Sequence, residues 1–209
     1  MKIVACFLAH TEDYWIDDYL ADLSKYTDEF YINLNEASEY VREQCESHPN
    51  TKKFIETKHK NGRWRIAFQR EKALRLLDDV KPDIVLWMDV DTTFPDDFKE
   101  TLQRFIESDK KCIWFKADYY WNDKCHIRTD GIYSKMGQCL GFKWEPGLTF
   151  IPYRGSTMPS NFEKSDRFVS PTPVKHWGYM REEDRLEKAH KHGKNHAFWS
   201  KNITLKKVC

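Results

Sequence analysis

The chain has 209 residues, at the upper edge of the roughly 100–200 that one domain usually takes, so it can bury a real core. Lys plus Arg (34) nearly balance Asp plus Glu (33), for a net charge of +1. Bulk electrostatics therefore give no support to a nucleic-acid or membrane-surface protein, and any anionic ligand must be met by a local site. No run of about 18 apolar residues and no charged-then-apolar leader occurs, which argues against a membrane span or secretion. The six cysteines form no Cys-x-x-Cys pair, and Cys6 and Cys112 lie inside apolar runs. Reduced thiols and a cytoplasmic protein are expected.

In chain order, Lys2 to Ala9 reads as a first buried strand. His10-Thr11-Glu12-Asp13 then offers cap-type residues before a helix to about Tyr26, where Trp15, Ile16, Tyr19, Leu20 and Leu23 share one face. Glu29 to Leu34 is a second strand, and a charged helix follows from about Ala37 to Cys45. His48-Pro49-Asn50 breaks it before the short strand Lys53 to Thr57. A third helix after Gly62 turns Ile66, Ala67, Ala73, Leu74 and Leu77 inward, and Arg63, Arg65 and Arg70 outward. Lys81-Pro82-Asp83 leads into the central strand. Strands alternating with helices imply right-handed crossovers and a mostly parallel sheet of Rossmann type. No Gly-x-Gly-x-x-Gly follows the first strand, which counts against a dinucleotide cofactor.

The central stretch, Ile84-Val85-Leu86-Trp87-Met88-Asp89-Val90-Asp91, is an apolar run that ends in two carboxylates one residue apart. The apolar part reads as a strand covered on both faces, with Asp89 and Asp91 at its C-terminal mouth, where open α/β sheets hold ligands. Two like charges so close call for a cation. Hard oxygen donors suit Mg²⁺ or Mn²⁺, and such ions complete their shells with substrate phosphates. The plain structural alternative is an Asp that starts a turn.

Beyond the pair, Phe94-Pro95 leads into a helix from Asp96 to Ser108, then a strand from Lys111 to Ala117. From Asp118 to about Phe168 apolar periodicity fades into Trp, Tyr, Gly and Pro, which reads as short strands and ordered loops over the acceptor side. Val174 to Tyr179 is extended, and a helix from Met180 to His192 follows. The expectation is one domain over 1–209 with a first half (1–95) and a second half (96–209), which the resemblance described next would make nucleotide-sugar-binding and acceptor-binding.

Several of these segments together resemble one family. Ala67-Phe68-Gln69-Arg70, Trp87-Met88-Asp89-Val90-Asp91 with Phe94-Pro95, Arg128-Thr129-Asp130-Gly131, Trp144-Glu145-Pro146-Gly147 and His176-Trp177-Gly178-Tyr179-Met180-Arg181 with Arg185 and Lys188 look like the ordered motifs of glycosyltransferase family 2, of GT-A fold. The resemblance covers most of the chain to about residue 190. It implies transfer of a sugar, with inversion, from a UDP- or GDP-sugar to an unknown acceptor hydroxyl. Asp91 would hold a Mn²⁺ or Mg²⁺ ion on the donor diphosphate, Asp89 would face the ribose or share the metal, and His176 would add a third ligand.

Arg70, with Arg63, would clamp phosphate by bridging two oxygens. His10, Glu12, Asn33 and Asn35, at strand ends, would border base or ribose. For the base that deprotonates the acceptor the family's usual Glu-Asp is not obvious. Asp130 is the first choice, Glu145 the second and Asp166 the third. Each residue also has a structural reading, as a packed histidine, a solvated helix charge or a turn former. Asp89-Val90-Asp91-Thr92-Thr93 also resembles the first motif of haloacid-dehalogenase-like phosphatases, with Asp89 as nucleophile. That motif belongs on the first strand of its domain, and here three strands precede it. A non-catalytic carbohydrate-binding module is the third class; it leaves the acidic pair unexplained.

Overall fold

The structure, a computed structural model, describes residues 1–58, 65–131, 133–150, 157–186 and 203–209. The first half alternates strand and helix: β1 (Ile3–Ala9), α1 (Ile16–Leu23), β2 (Phe30–Asn35), α2 (Glu39–Ser47), β3 (Thr51–Thr57), α3 (Arg65–Arg75) and β4 (Ile84–Leu86). β5 (Thr92–Thr93), α4 (Phe98–Glu107), β6 (Cys112–Tyr120), β7 (His126–Arg128), β8 (Gly137–Lys143), β9 (Arg167–Val169), β10 (Val174–His176) and β11 (Leu205–Lys207) follow. Residues 182–186 are helical; the expected start at Met180 and Arg181 is not, and the expected remainder to His192 lies outside the described residues.

The main sheet runs β11-β7-β6-β8-β4-β1-β2-β3. β4, β1, β2 and β3 are mutually parallel, as alternating strands and helices require. The chain moves from β1 to β2 to β3, then returns to place β4 on the other flank of β1. This reversal leaves a crevice at the C-terminal ends of β1 and β4. One apolar layer joins α1, α2 and α4 to one face through Ile16, Leu20, Val41, Phe98 and Phe105. A second joins α3 to the opposite face through Ala67, Leu74 and Leu77, with Phe150 and Phe162.

Apart from α3, where Ile66 is 47% exposed and Arg70 5% against the expected opposite, two sequence expectations change. The stretch 118–168, expected as short strands and loops, contains β8, a seven-residue strand between β4 and β6 and antiparallel to both. Its glycines explain how it fits so tightly. A Cβ at Gly141 would lie 2.9 Å from the Val85 carbonyl oxygen, and one at Gly137 2.5 Å from that of Phe115. Gly137 and Gly141 also remove the apolar periodicity that betrays a buried strand. The second correction concerns sulfur: Cys125 and Cys209 form a disulfide, whereas Cys6, Cys45, Cys112 and Cys139 are free and buried. Two of the six are therefore not reduced thiols, and the cytoplasmic expectation loses that part of its support. No helix among the described residues is long and apolar enough to cross a membrane.

Candidate functional site

β4 delivers the acidic pair. Its ladder stops at Leu86, but Trp87 still donates its N–H to the Leu140 carbonyl (2.8 Å), and Trp87 and Met88 stay buried on opposite faces. The Thr92 N–H then donates to the Asp89 carbonyl at 3.1 Å, which closes a tight turn over Val90 and Asp91. The Tyr19 hydroxyl donates to the Met88 carbonyl from α1 at 3.0 Å. Both carboxylates are thus fixed at the C-terminal mouth of β4, at the crevice.

Within that turn the two carboxylates meet different partners. Asp89 Oδ1 accepts from Arg70 Nη2 at 3.0 Å; the Arg70 side chain is 6% exposed and that of Asp89 40%. α3 holds Arg70 there because Ala67, Ala73 and Leu74 bury its inner face. Asp91 faces His176: Oδ1 and Nδ1 are 3.6 Å apart, beyond hydrogen-bond length, with side chains 14% and 11% exposed. β10 brings His176 in. It pairs antiparallel with β5 (His176↔Thr92) and parallel with β6 (His176↔Tyr119), and the Trp177 N–H donates to the Asp91 carbonyl at 2.8 Å. The Gly178 N–H donates to His176 Nδ1 at 3.1 Å, and Trp177 Nε1 to Thr93 Oγ1 at 2.6 Å.

Three phenols back this site. Burial, then the Asp89 and Asp91 charges, push the Tyr119 hydroxyl well above its ordinary pKa. Tyr179 is raised first by burial and then by Asp91, and Tyr19 by burial and then by Asp89. All three stay protonated through the physiological range, as neutral groups beside two anions.

Polar residues also gather at the neighbouring strand ends. His10 Nδ1 lies 2.5 Å from the Asn35 carbonyl and 3.0 Å from that of Glu36, and Glu12 Oε2 accepts the His10 N–H at 2.6 Å. Asn35 Nδ2 donates to Thr57 Oγ1 (3.0 Å), and Thr57 Oγ1 donates to Asn33 Oδ1 (2.7 Å). Asn33 Nδ2 reaches Gln69 Oε1 on α3 at 3.0 Å. His10, Glu12, Asn33 and Asn35 therefore share the C-terminal end of the sheet with Asp89. Arg63 and Lys188 lie outside the described residues.

Of the candidate bases, Asp130 is held by other partners, and Glu145 and Asp166 lie at the far end of the sheet. Both oxygens of Asp130 accept from Arg128 (Nε and Nη2, each 2.8 Å), and Oδ1 also accepts the Thr204 N–H at 3.0 Å. Arg128 is 2% exposed, with its guanidinium 4.6 Å from the Trp121 ring and 4.2 Å from that of Tyr133. A carboxylate held this way is the counter-ion of a buried charge. Glu145 pairs with Lys111 at 3.4 Å, just past Lys143, which stands opposite Ile84. Because β8 runs antiparallel to β4, Glu145 sits at the N-terminal end of β4, away from Asp89 and Asp91. Asp166 is at that end too: its carbonyl accepts the Lys111 N–H and its carboxylate caps a short turn at Glu163. Sequence reading missed Tyr119, Tyr179 and Arg128 as parts of the site and its backing. Tyr179 and Arg128 do lie inside segments that carry the family resemblance, but no role was read for them there.

No family profile matches this chain, and no curated protein does. Among solved structures, Staphylococcus aureus TarS 1–349 superposes with a TM-score of 0.51 at 15% identity, covering 90% of this chain and 63% of that one. The same TarS fragment in complex with UDP gives 0.42 at 17% identity, covering 57% and 36%. Mannosyltransferase PcManGT from Pyrobaculum calidifontis, in complex with GDP-Man and Mn²⁺, gives 0.38 at 16% identity, covering 54% and 34%. The chain spans less than two thirds of each of these structures. The fold is the GT-A-type α/β fold of its glycosyltransferase neighbours, with a mostly parallel core sheet flanked by helices.

Proposed function

We propose that this chain is a glycosyltransferase that moves a sugar from a UDP- or GDP-sugar to an acceptor hydroxyl with the help of Mn²⁺ or Mg²⁺. The observation that carries the reading is the placement of Asp89 and Asp91 at the switch-point crevice, one against Arg70 and the other against His176. The fold shared with TarS supports it, and the same TarS fragment is described with UDP.

The residues fit a divalent cation in part. Asp91 offers a carboxylate oxygen that Mn²⁺ accepts, and His176 stands beside it with Nδ1 accepting the Gly178 N–H, so the imidazole would have to release that hydrogen bond before it could add a nitrogen. Among the described residues no group of three or more His, Cys, Asp and Glu would hold a cation unaided. An ion held by few protein ligands takes the remaining positions from substrate phosphates and water. Held by Asp91, such an ion would supply charge stabilisation to the leaving diphosphate. The protein's own part is orientation. Arg70 fixes Asp89 while leaving it partly exposed, available to accept a hydroxyl of the donor. Tyr19, Tyr119 and Tyr179 exclude water behind the pair. His10 and Glu12 stand along the rim, where ribose and base would lie, and the buried Asn33 and Asn35 brace it through Gln69 and Thr57.

Inversion requires a base facing the acceptor, and Asp130 and Glu145 are engaged elsewhere, so that role is assigned to neither. The phosphatase reading needs Asp89 on the first strand of its domain, and it stands after β4.

The test is a thermal-shift panel of UDP-, GDP-, dTDP- and CMP-sugars with and without Mn²⁺. A ligand at a hundred times its Kd stabilises the fold by about 2.7 kcal/mol. A shift that needs both a sugar nucleotide and Mn²⁺, and disappears in Asp91→Asn, is the expected result. A covalent phosphoryl adduct on Asp89 would overturn the reading in favour of the phosphatase.

A further inference from the structure

Residues 203–209 attach to the body of the protein at one hairpin. β11 pairs antiparallel with β7 (Leu205↔Arg128, Lys206↔Ile127, Lys207↔His126). The Thr129 N–H donates to the Thr204 carbonyl at 2.9 Å and the Val208 N–H to that of Cys125 at 2.8 Å. All three residues of β11 are exposed, so burial does almost nothing to hold it, and so short an edge strand is not stable alone. The disulfide from Cys125 to Cys209 adds a covalent tie to these hydrogen bonds.

From this strand a chain of direct contacts runs inward. Thr204 N–H reaches Asp130, Asp130 grips Arg128, and the Arg128 guanidinium lies against Trp121. Trp121 stacks on Tyr179 at 5.6 Å, and the Tyr179 ring is 5.6 Å from that of His176, which faces Asp91. Each step is a direct contact, and a disulfide has two chemical states, closed and open, which is the kind of element coupling between distant points requires.

We propose that the Cys125–Cys209 disulfide is a redox latch: closed, it holds β11 on the Asp130–Arg128 pair and, through Trp121 and Tyr179, fixes the seat of His176 beside Asp91; opened, it loosens that seat. Its effect on sugar transfer rests on the function proposed above; the latch itself does not. Opening needs a dithiol. One thiolate attacks a disulfide sulfur, the second thiol resolves the mixed disulfide, and two electrons and two protons end on Cys125 and Cys209 while the dithiol leaves as a cyclic disulfide. The other four cysteines are buried, so this pair is where such chemistry acts.

The test compares the intact protein with and without dithiothreitol, alongside Cys209→Ser and Thr204→Pro. Mass spectrometry of the unreduced chain should find it two hydrogens lighter than the reduced one. Reduction or Cys209→Ser should abolish amide-exchange protection at Thr129 and Val208 and shift the His176 imidazole NMR signals. Thr204→Pro keeps the disulfide but deletes the N–H to Asp130, so it should move His176 while Val208 stays protected. Retained protection at Thr129 and Val208 after reduction overturns the latch, and so does lost protection with His176 unmoved. None of these readouts needs sugar transfer, so their failure leaves the glycosyltransferase reading standing, and failure of donor binding leaves the latch standing.

Discussion

β2 and β8 both lie inside the sheet and both are almost wholly buried, yet they are built differently. β2 is Phe-Tyr-Ile-Asn-Leu-Asn, with all six residues buried, and it fills its layers with large side chains. β8 is Gly-Gln-Cys-Leu-Gly-Phe-Lys, and it fits because Gly141 lets the Val85 carbonyl approach and Gly137 does the same for that of Phe115. The parallel half is thus held by side-chain volume. The antiparallel half depends on close backbone approach and on buried charge, with Arg128 and Asp130 as its extreme case. The two halves should therefore break in different ways.

The largest effect is expected at the buried ion pair. Asp130→Asn leaves the Arg128 guanidinium without its counter-charge and should cost about 3–5 kcal/mol, read as a lower urea midpoint. A variant that folds as stably as wild type but turns over more slowly would restore Asp130 as the catalytic base. Next comes Gly141→Ala, whose added methyl would press on backbone that cannot swing aside. Overpacking of this kind costs about 1–3 kcal/mol. In the parallel half, Ile32→Val removes one methylene from a packed layer and should cost only about 0.5–1.5 kcal/mol. If chemical denaturation ranks Ile32→Val above Gly141→Ala, the contrast between the halves is wrong.

What the sequence made legible follows the same line. β1, β2 and β4 were readable because strands covered on both faces are continuous apolar runs, and the acidic pair stood out where such a run stops. β8 was hidden because its glycines carry no hydropathy signal. Glu145 was misplaced for a related reason: with β8 unseen, nothing in the sequence indicated that the chain reverses and carries Glu145 to the far end of β4. Arg128 could not be found because a charged residue reads as solvated until its partners are known. The Cys125–Cys209 link spans 84 residues, and no local spacing encodes a pairing over that distance. His176 was found only through the family resemblance, since a lone His before Trp177 carries no metal signature of its own.

The account turns on whether the Asp89–Asp91 turn, and not a carboxylate elsewhere, receives a metal-bound nucleotide. Calorimetric titration of UDP and GDP, with and without Mn²⁺, into wild type, Asp91→Asn and Glu145→Gln addresses this directly. Binding of at least one nucleotide that is strengthened by Mn²⁺ in wild type, unchanged in Glu145→Gln and lost in Asp91→Asn is the predicted result. Mn²⁺-dependent binding that survives in Asp91→Asn, or fails in Glu145→Gln, would contradict it.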